Sequence, residues 1–211
     1  MKVRDAMRGY YFITDHRLTR AGIFSDCRNA VAAGVGVVQY RNKEASTKHM
    51  REEAQRLRSI CGSRVKLLIN DRIDIALAVG ADGVHLGQDD MPCVCARKLL
   101  GSKAVIGVTV HSVKEALIAE KSGADYLGVS PIFATATKKD AGKPAGLQLL
   151  RDIRRRTRLP LAAIGGITLD NAGQVIASGA DAVCAISCVV TKPDVKVRIG
   201  RFQRLFPASH G

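Results

Sequence analysis

Two aspartates stand where two short apolar runs stop. Lys66 to Ile69 gives way to Asn70-Asp71, and Gly83 to Gly87 gives way to Gln88-Asp89-Asp90. Between them Ile73, Ile75, Ala76, Leu77 and Val79 make a mostly apolar segment that closes at Gly80. Strand, helix and strand in that length form a βαβ unit, whose parallel strands deliver Asp71 and Asp90, 19 residues apart, to one edge of a sheet. Carboxylates so placed can share a hard divalent cation such as Mg²⁺, which takes a few carboxylates and fills its other positions with substrate phosphate oxygens. The same residues can instead cap the helices that follow, one after Asp71 and one beginning near Pro92. On spacing alone, capping comes first.

The rest of the chain repeats this alternation. Apolar runs at Tyr10–Thr14, Val35–Tyr40, Ala104–Val110, Tyr126–Ile132, Leu159–Ile164 and Asp181–Ile186 predict six more strands. Helical patterns fall between them, the longest from Ser46 to Cys61, with Met50, Ala54, Leu57 and Cys61 on one face and Gly62 as its stop. Four segments, AAGVGVVQ (32–39), VGADGVHL (79–86), SGADYLGV (122–129) and SGADAVCA (178–185), each place a glycine just before an even-numbered strand. Glycine there adopts the left-handed conformation that ends a helix and turns the chain back into the sheet. Eight strands, eight helices and a repeat of two βα units predict an eight-fold parallel α/β barrel of the TIM type, formed by one domain whose ends fray at about 1–8 and 207–211. An open doubly wound sheet is the competitor, but it lacks its Gly-x-Gly-x-x-Gly after the first strand.

In such a barrel the site lies at the carboxyl ends of the strands. Gln39, Arg41 and Lys43 leave the second strand, Asn70 and Asp71 the third, Gln88 and Asp90 the fourth, and Thr109 and His111 the fifth. Thr135, Thr137 and Lys138 follow the sixth, Gly165-Gly166 the seventh, and Ile186-Ser187 the eighth. This set suits a polyanionic ligand. Backbone N–H groups at Gly165-Gly166 and Ile186-Ser187 can hold a phosphate, although paired glycines also serve a plain tight turn. The small-residue stretch 134–146 is a candidate lid or an ordinary surface loop. His111 is a candidate base, whereas His85, inside an apolar run, reads as a core residue. No nucleophile and base stand in a pattern that suits covalent catalysis.

Composition narrows the partners. With 33 Lys+Arg against 19 Asp+Glu, the formal charge of +14 attracts anions. Nucleic acid is disfavoured, because aromatics are 4% with no Trp and the basic residues are scattered. No apolar run reaches the ~20 residues of a membrane span, and the N-terminus lacks a signal-peptide core, so the expectation is a cytoplasmic protein. Six cysteines read as reduced thiols, and Cys93-Val94-Cys95 lacks the second half of a zinc site. The oligomeric state is not encoded in any feature of the chain.

The segments YFITD, VQYRNK, INDR, ADGVHLGQDD, IGVTVHS, ADYLGVSPIFATATK and AIGGI, in this order from about Tyr11 to Ser187, closely resemble the thiamine-phosphate synthase (thiamine-phosphate pyrophosphorylase) family. The resemblance implies a TIM barrel that joins hydroxymethylpyrimidine diphosphate to a hydroxyethylthiazole phosphate and releases diphosphate. It also implies a dissociative course: diphosphate departs first, and the thiazole nitrogen attacks the pyrimidine-methyl cation left behind. Carried over by motif, Asp71 and Asp90 look like the Mg²⁺ ligands. Gln39, Tyr40, Arg41, Asn42, Lys43, Asn70, Thr109 and Lys138 look like pyrimidine-diphosphate contacts, with Arg41, Lys43, Thr109 and Lys138 in catalysis. Thr135, Ala136, Thr137, Gly166, Ile186 and Ser187 look like the thiazole-phosphate site. The family usually has Ser where this chain has Thr109, which keeps the hydroxyl and adds a methyl. Two alternatives stand beside the synthase: a tautomerase-like isomerase of the same fold using His111, and a non-enzymatic regulator binding anionic ligands or nucleic acid.

Overall fold

The computed structural model describes residues 3–135, 137 and 143–207. Nine strand segments among them, β1 (Gly9–Tyr10), β2 (Phe12–Ile13), β3 (Val37–Tyr40), β4 (Lys66–Asn70), β5 (Gly83–Leu86), β6 (Val105–Val110), β7 (Tyr126–Val129), β8 (Leu161–Ile164) and β9 (Ala182–Cys184), form one sheet. Its order is β1-β9-β8-β7-β6-β5-β4-β3-β2. All pairings are parallel. The two ends of that order, β1 and β2, are consecutive pieces of one stretch interrupted at Tyr11, whose N–H donates to the Val183 carbonyl at 3.0 Å. The sheet is therefore closed into an eight-staved (β/α)₈ barrel, as the alternation predicts.

Around it run α2 (Ile23–Ala32), α3 (Thr47–Cys61), α4 (Ile73–Val79), α5 (Cys93–Leu100), α6 (Val113–Lys121), α7 (Gly146–Arg156), α8 (Leu169–Ala177) and α10 (Val195–Gln203), with a short α1 (Val3–Ala6) before β1 and a short α9 (Ser187–Val190) after β9. The expected fraying of residues 1–8 does not hold for 3–8. Ala6 and Met7 are buried among the residues that fill the barrel, because the floor needs apolar volume that the small staves around it do not supply. Gly36 lets this plug in: a Cβ there would lie 2.3 Å from the Ala6 carbonyl oxygen. Residues 208–211 lie outside the described residues.

The repeated Gly-Ala-Asp carries more than its helix-ending glycine. Asp82 takes the Leu67 N–H, Asp125 the Ile106 N–H and Asp181 the Leu161 N–H, each from the neighbouring stave. Each is also paired with an arginine from the helix one unit back: Arg58 with Asp82 at 2.5 Å, Arg97 with Asp125 at 2.6 Å and Arg154 with Asp181 at 3.0 Å. Those arginines donate as well to carbonyls beyond their own helix ends, including Val65, Ala104 and Leu159. Helix end, turn and strand start are thereby tied at the face of the barrel away from the site, where such features serve stability.

The core divides at the sheet. Outward strand residues pack under the helices, and inward ones, including Tyr11, Val37, Leu68, Tyr126 and Cys184, fill the barrel with Ala6 and Met7. Glycines set the spacing inside: a Cβ on Gly107 would fall 2.0 Å from Tyr126 Cζ, and one on Gly128 would fall 2.9 Å from His85 Cε1. Gly107→Ala should therefore cost about 3 kcal/mol of stability, read from denaturant midpoints, because the ring has no free volume into which to retreat. A midpoint equal to the parent's would show that the interior is looser than this packing.

Candidate active site

The alternation of strand residues decides which candidates reach the site. Gln39 and Arg41 share the inward register of β3 and its exit, and with Lys43, Asn70, Asp71, Asp90 and Thr109 they line a cavity of about 760 Å³ at the carboxyl mouth of the barrel. A second cavity, about 780 Å³, adjoins it and is lined by Thr135, Thr137, Gly165, Gly166, Ile186 and Ser187. Ser130, Thr137, Ile164, Cys184 and Ile186 border both.

Tyr40 and Asn42 belong to the opposite register and do not enter. Tyr40 is fully buried beneath the helices, and its hydroxyl donates to Glu53 of α3 at 2.5 Å. The Asn42 amide reaches the same Glu53 oxygen at 3.1 Å, and its carbonyl oxygen accepts the Glu44 and Ala45 N–H groups. Both hold the loop after β3 in shape. Ala136 and Lys138 lie outside the described residues.

The aspartates face each other at the cavity and do not cap the helices that follow. Residue Arg72 is the N-cap of α4 and Pro92 that of α5, neither with a side-chain cap, while Asp90 Oδ2 accepts the Gly87 N–H at 2.6 Å. Asp71 adopts a left-handed backbone, φ 62°, and is the only non-glycine residue among those described to do so. Its N–H is held by the His85 carbonyl at 2.9 Å, and its carboxylate meets Lys43 Nζ at 3.1 Å. Burial, with the facing Asp90 carboxylate next, pushes the Asp71 carboxyl up to about 6 against the pull of Lys43. No group of three or more His, Cys, Asp or Glu gathers among the described residues. A hard cation bridged by this pair would draw its remaining ligands from water or a bound phosphate, which is the way Mg²⁺ is held.

Arg41 is braced from below. Its side chain is 17% exposed and lies 3.9 Å from the buried Asp15 carboxylate, which also accepts the Arg17 and Leu18 N–H groups. Its backbone N–H donates to Thr14 Oγ1 at 2.9 Å. Lys43, 50% exposed, reaches over the rim. In the second cavity Gly165 and Gly166 both have positive φ, 105° and 62°. They also lie close against the segment after β7, since Cβ atoms would fall 2.7 Å from Pro131 Cβ and 2.5 Å from the Ala134 carbonyl oxygen. Asn171 fixes the turn by donating to the Gly166 carbonyl and accepting the Thr168 N–H. Glycine here answers both a backbone and a space requirement.

His111, the candidate base, is exposed and lines neither cavity. Its Nδ1 bonds the Ser130 carbonyl at 2.5 Å, so it serves as a strut on the rim. His85 is satisfied by hydrogen bonds as a core residue would be, yet it also borders the first cavity. With Tyr11 and Ser130 it is a site residue that the apolar context of its strand conceals. The inward register shared with Gln39 and Thr109 is the signal that would find it.

A sequence model of the family described as thiamine monophosphate synthase matches residues 10–189. The chain is 54% identical over 187 residues to the thiamine-phosphate synthase of Methanosarcina barkeri, covering 89% of this chain and 85% of that protein. It is 51% identical over 187 residues to that of Chloroflexus aurantiacus, covering 88% and 86%. Among solved structures, a thiamine phosphate pyrophosphorylase from Pyrococcus furiosus superposes with a TM-score of 0.88 at 38% identity, over 97% of both chains.

Proposed function

Because the chain belongs to the thiamine monophosphate synthase family and its activity is that of a thiamine-phosphate synthase, a transferase of thiamine biosynthesis, we propose that its two cavities divide the two substrates between them. Hydroxymethylpyrimidine diphosphate occupies the first, with its diphosphate toward Arg41, Lys43 and the aspartate pair. Hydroxyethylthiazole phosphate occupies the second, with its phosphate against Gly166 and Ser187. The observation that carries this division is the opposed charge of the first mouth: two cations and two facing carboxylates border one cavity, and the second has a glycine turn instead.

Asp71 and Asp90 are the residues that would hold Mg²⁺, which would supply positive charge to the departing diphosphate. Arg41 and Lys43 neutralise the same group as the carbon–oxygen bond breaks and its electron pair stays on the diphosphate. The pyrimidine-methyl carbon is left electron-poor. The thiazole nitrogen then donates its lone pair to that carbon. Gln39, Asn70 and Thr109 hold the pyrimidine so that its methylene faces the second cavity, and Thr135, Thr137 and Ile186 hold the thiazole opposite, so positioning replaces any strong base. Among the described residues no helix is long and apolar enough to cross a membrane, and both substrates are small molecules.

The reading is tested by mixing purified protein with the two substrates and Mg²⁺ and measuring diphosphate and thiamine phosphate, which must appear one for one. Diphosphate without thiamine phosphate would overturn the two-cavity arrangement. Gly166→Ala should raise the KM for thiazole phosphate at least about tenfold through strain and the clash with Ala134, and leave the pyrimidine KM unchanged. Equal effects on both KM values would remove the assignment of the second cavity.

A further inference from the structure

Five polar side chains form an unbroken chain across the barrel interior. Gln39 Nε2 donates to Tyr11 Oη at 2.8 Å, and Tyr11 Oη meets Tyr126 Oη at 2.7 Å. Tyr126 Oη meets His85 Nδ1 at 2.7 Å, and His85 Nε2 meets Thr109 Oγ1 at 2.8 Å. Tyr11 and Tyr126 are buried, and Gly107 and Gly128 leave the space in which the Tyr126 and His85 rings lie. The chain starts and ends on two residues assigned above to the pyrimidine, Gln39 and Thr109.

Hydrogen counting gives the chain a direction. A phenol has one proton to donate, and a neutral imidazole has one donor nitrogen and one acceptor. With its oxygen already accepting from Gln39, Tyr11 has its proton satisfied by donating to Tyr126. Tyr126 then donates to His85 Nδ1, which must be the bare nitrogen. His85 Nε2 carries the proton and donates to Thr109 Oγ1. The reverse order would turn the Tyr11 proton away from Tyr126 in a buried setting, where an unmade hydrogen bond is costly. Burial also drives the Tyr11 and Tyr126 phenols far above their ordinary range, so both remain neutral donors.

We infer that Tyr11, Tyr126 and His85 are positioning residues that polarise the site: they hold Thr109 with its oxygen occupied and its proton directed into the cavity, and leave the Gln39 carbonyl oxygen facing the same space. The pocket so set presents a donor at one wall and an acceptor at the other, matching a heteroaromatic ring that bears an acceptor nitrogen and an amino N–H. This rests on the placement of the pyrimidine in the first cavity.

Two measurements test it. In ¹⁵N-histidine-labelled protein without substrates, His85 should be the neutral tautomer with the proton on Nε2; a proton on Nδ1 overturns the direction whatever the cavity binds. In kinetics, Tyr126→Phe keeps the ring and removes the hydroxyl, and should lower kcat about tenfold, the worth of one hydrogen bond, with the KM for thiazole phosphate unchanged. Placed in a Thr109→Val background it should cost less than about twofold, because the two act as one unit. A full tenfold loss in both backgrounds would show that Tyr126 does not work through Thr109. Thr109→Val at the parental rate, with the tautomer as stated, would instead remove the contact of Thr109 with the pyrimidine and with it the purpose of the chain.

Discussion

Asp71→Asn should yield an enzyme that makes no thiamine phosphate above about a thousandth of the parental rate and yet folds more firmly at neutral pH. Both halves come from one geometry. Asp71 is held in a left-handed backbone, which Asn tolerates as well as Asp, so the exchange adds no strain. The carboxyl is pushed to about 6, first by burial and then by the facing Asp90. Its folded value thus lies above its unfolded one. The folded state keeps its proton while the unfolded chain loses one, and the cost to stability grows as pH rises from about 4 to about 6 and persists above. Removing the charge should return about 3 kcal/mol at pH 7 and nothing below pH 4. Catalysis runs the other way, because the ionised pair is what attracts the cation. For the parent protein, the apparent Mg²⁺ affinity should fall as pH drops below about 6, where the proton competes. Thermal unfolding of Asp71→Asn at pH 4 and pH 7 checks the first half; equal shifts at both would assign the gain to something other than this charge.

Arg41→Ala should lower kcat/KM by about a hundredfold or more, the scale for losing a fixed cation at a departing anion. The side chain is mostly shielded from water and rests over Asp15, itself only 3% exposed, so the guanidinium is aimed before any ligand arrives. Lys43, half exposed and able to turn into solvent, should matter less, by about tenfold. Arg41→Lys tests the aim as distinct from the charge: it should recover a minor part of the loss, since an ammonium cannot bridge Asp15 and a diphosphate with the same fork. Recovery of the full rate by lysine would mean that charge alone suffices. A fall confined to the KM for thiazole phosphate would place Arg41 at the other substrate.

The barrel is legible in the sequence because each βα unit announces itself. Apolar runs end in polar pairs, and the repeated glycine marks every second return into the sheet. The aspartate of the same repeat is not legible as a tie, since its arginine partner lies 24 to 28 residues away and only the fold joins them. The aspartate pair is legible by position, but spacing cannot separate a shared site from helix capping. What separates them is that Asp90 turns back to the Gly87 N–H and the helix after Asp71 begins uncapped. Tyr40 and Asn42 sit within the same motif as Gln39 and Arg41, yet period-two alternation sends them outward to Glu53. His85 is hidden for the opposite reason: an apolar strand reads as core, and this core is also the floor of the site. The glycines inside VIGVTV and YLGV are its trace, because a strand gives up a side chain only where something else needs the room.

The role we propose for Asp71 and Asp90 is to serve a divalent cation in the coupling of two small phosphorylated rings. It is tested most directly by following thiamine phosphate formation by purified protein across a Mg²⁺ titration, beside a chelated sample and the Asp71→Asn protein. Product should rise with Mg²⁺ and saturate, with none in chelator and none from Asp71→Asn at any concentration of metal. The parental rate in chelator, or a metal dependence unchanged by Asp71→Asn, would contradict it.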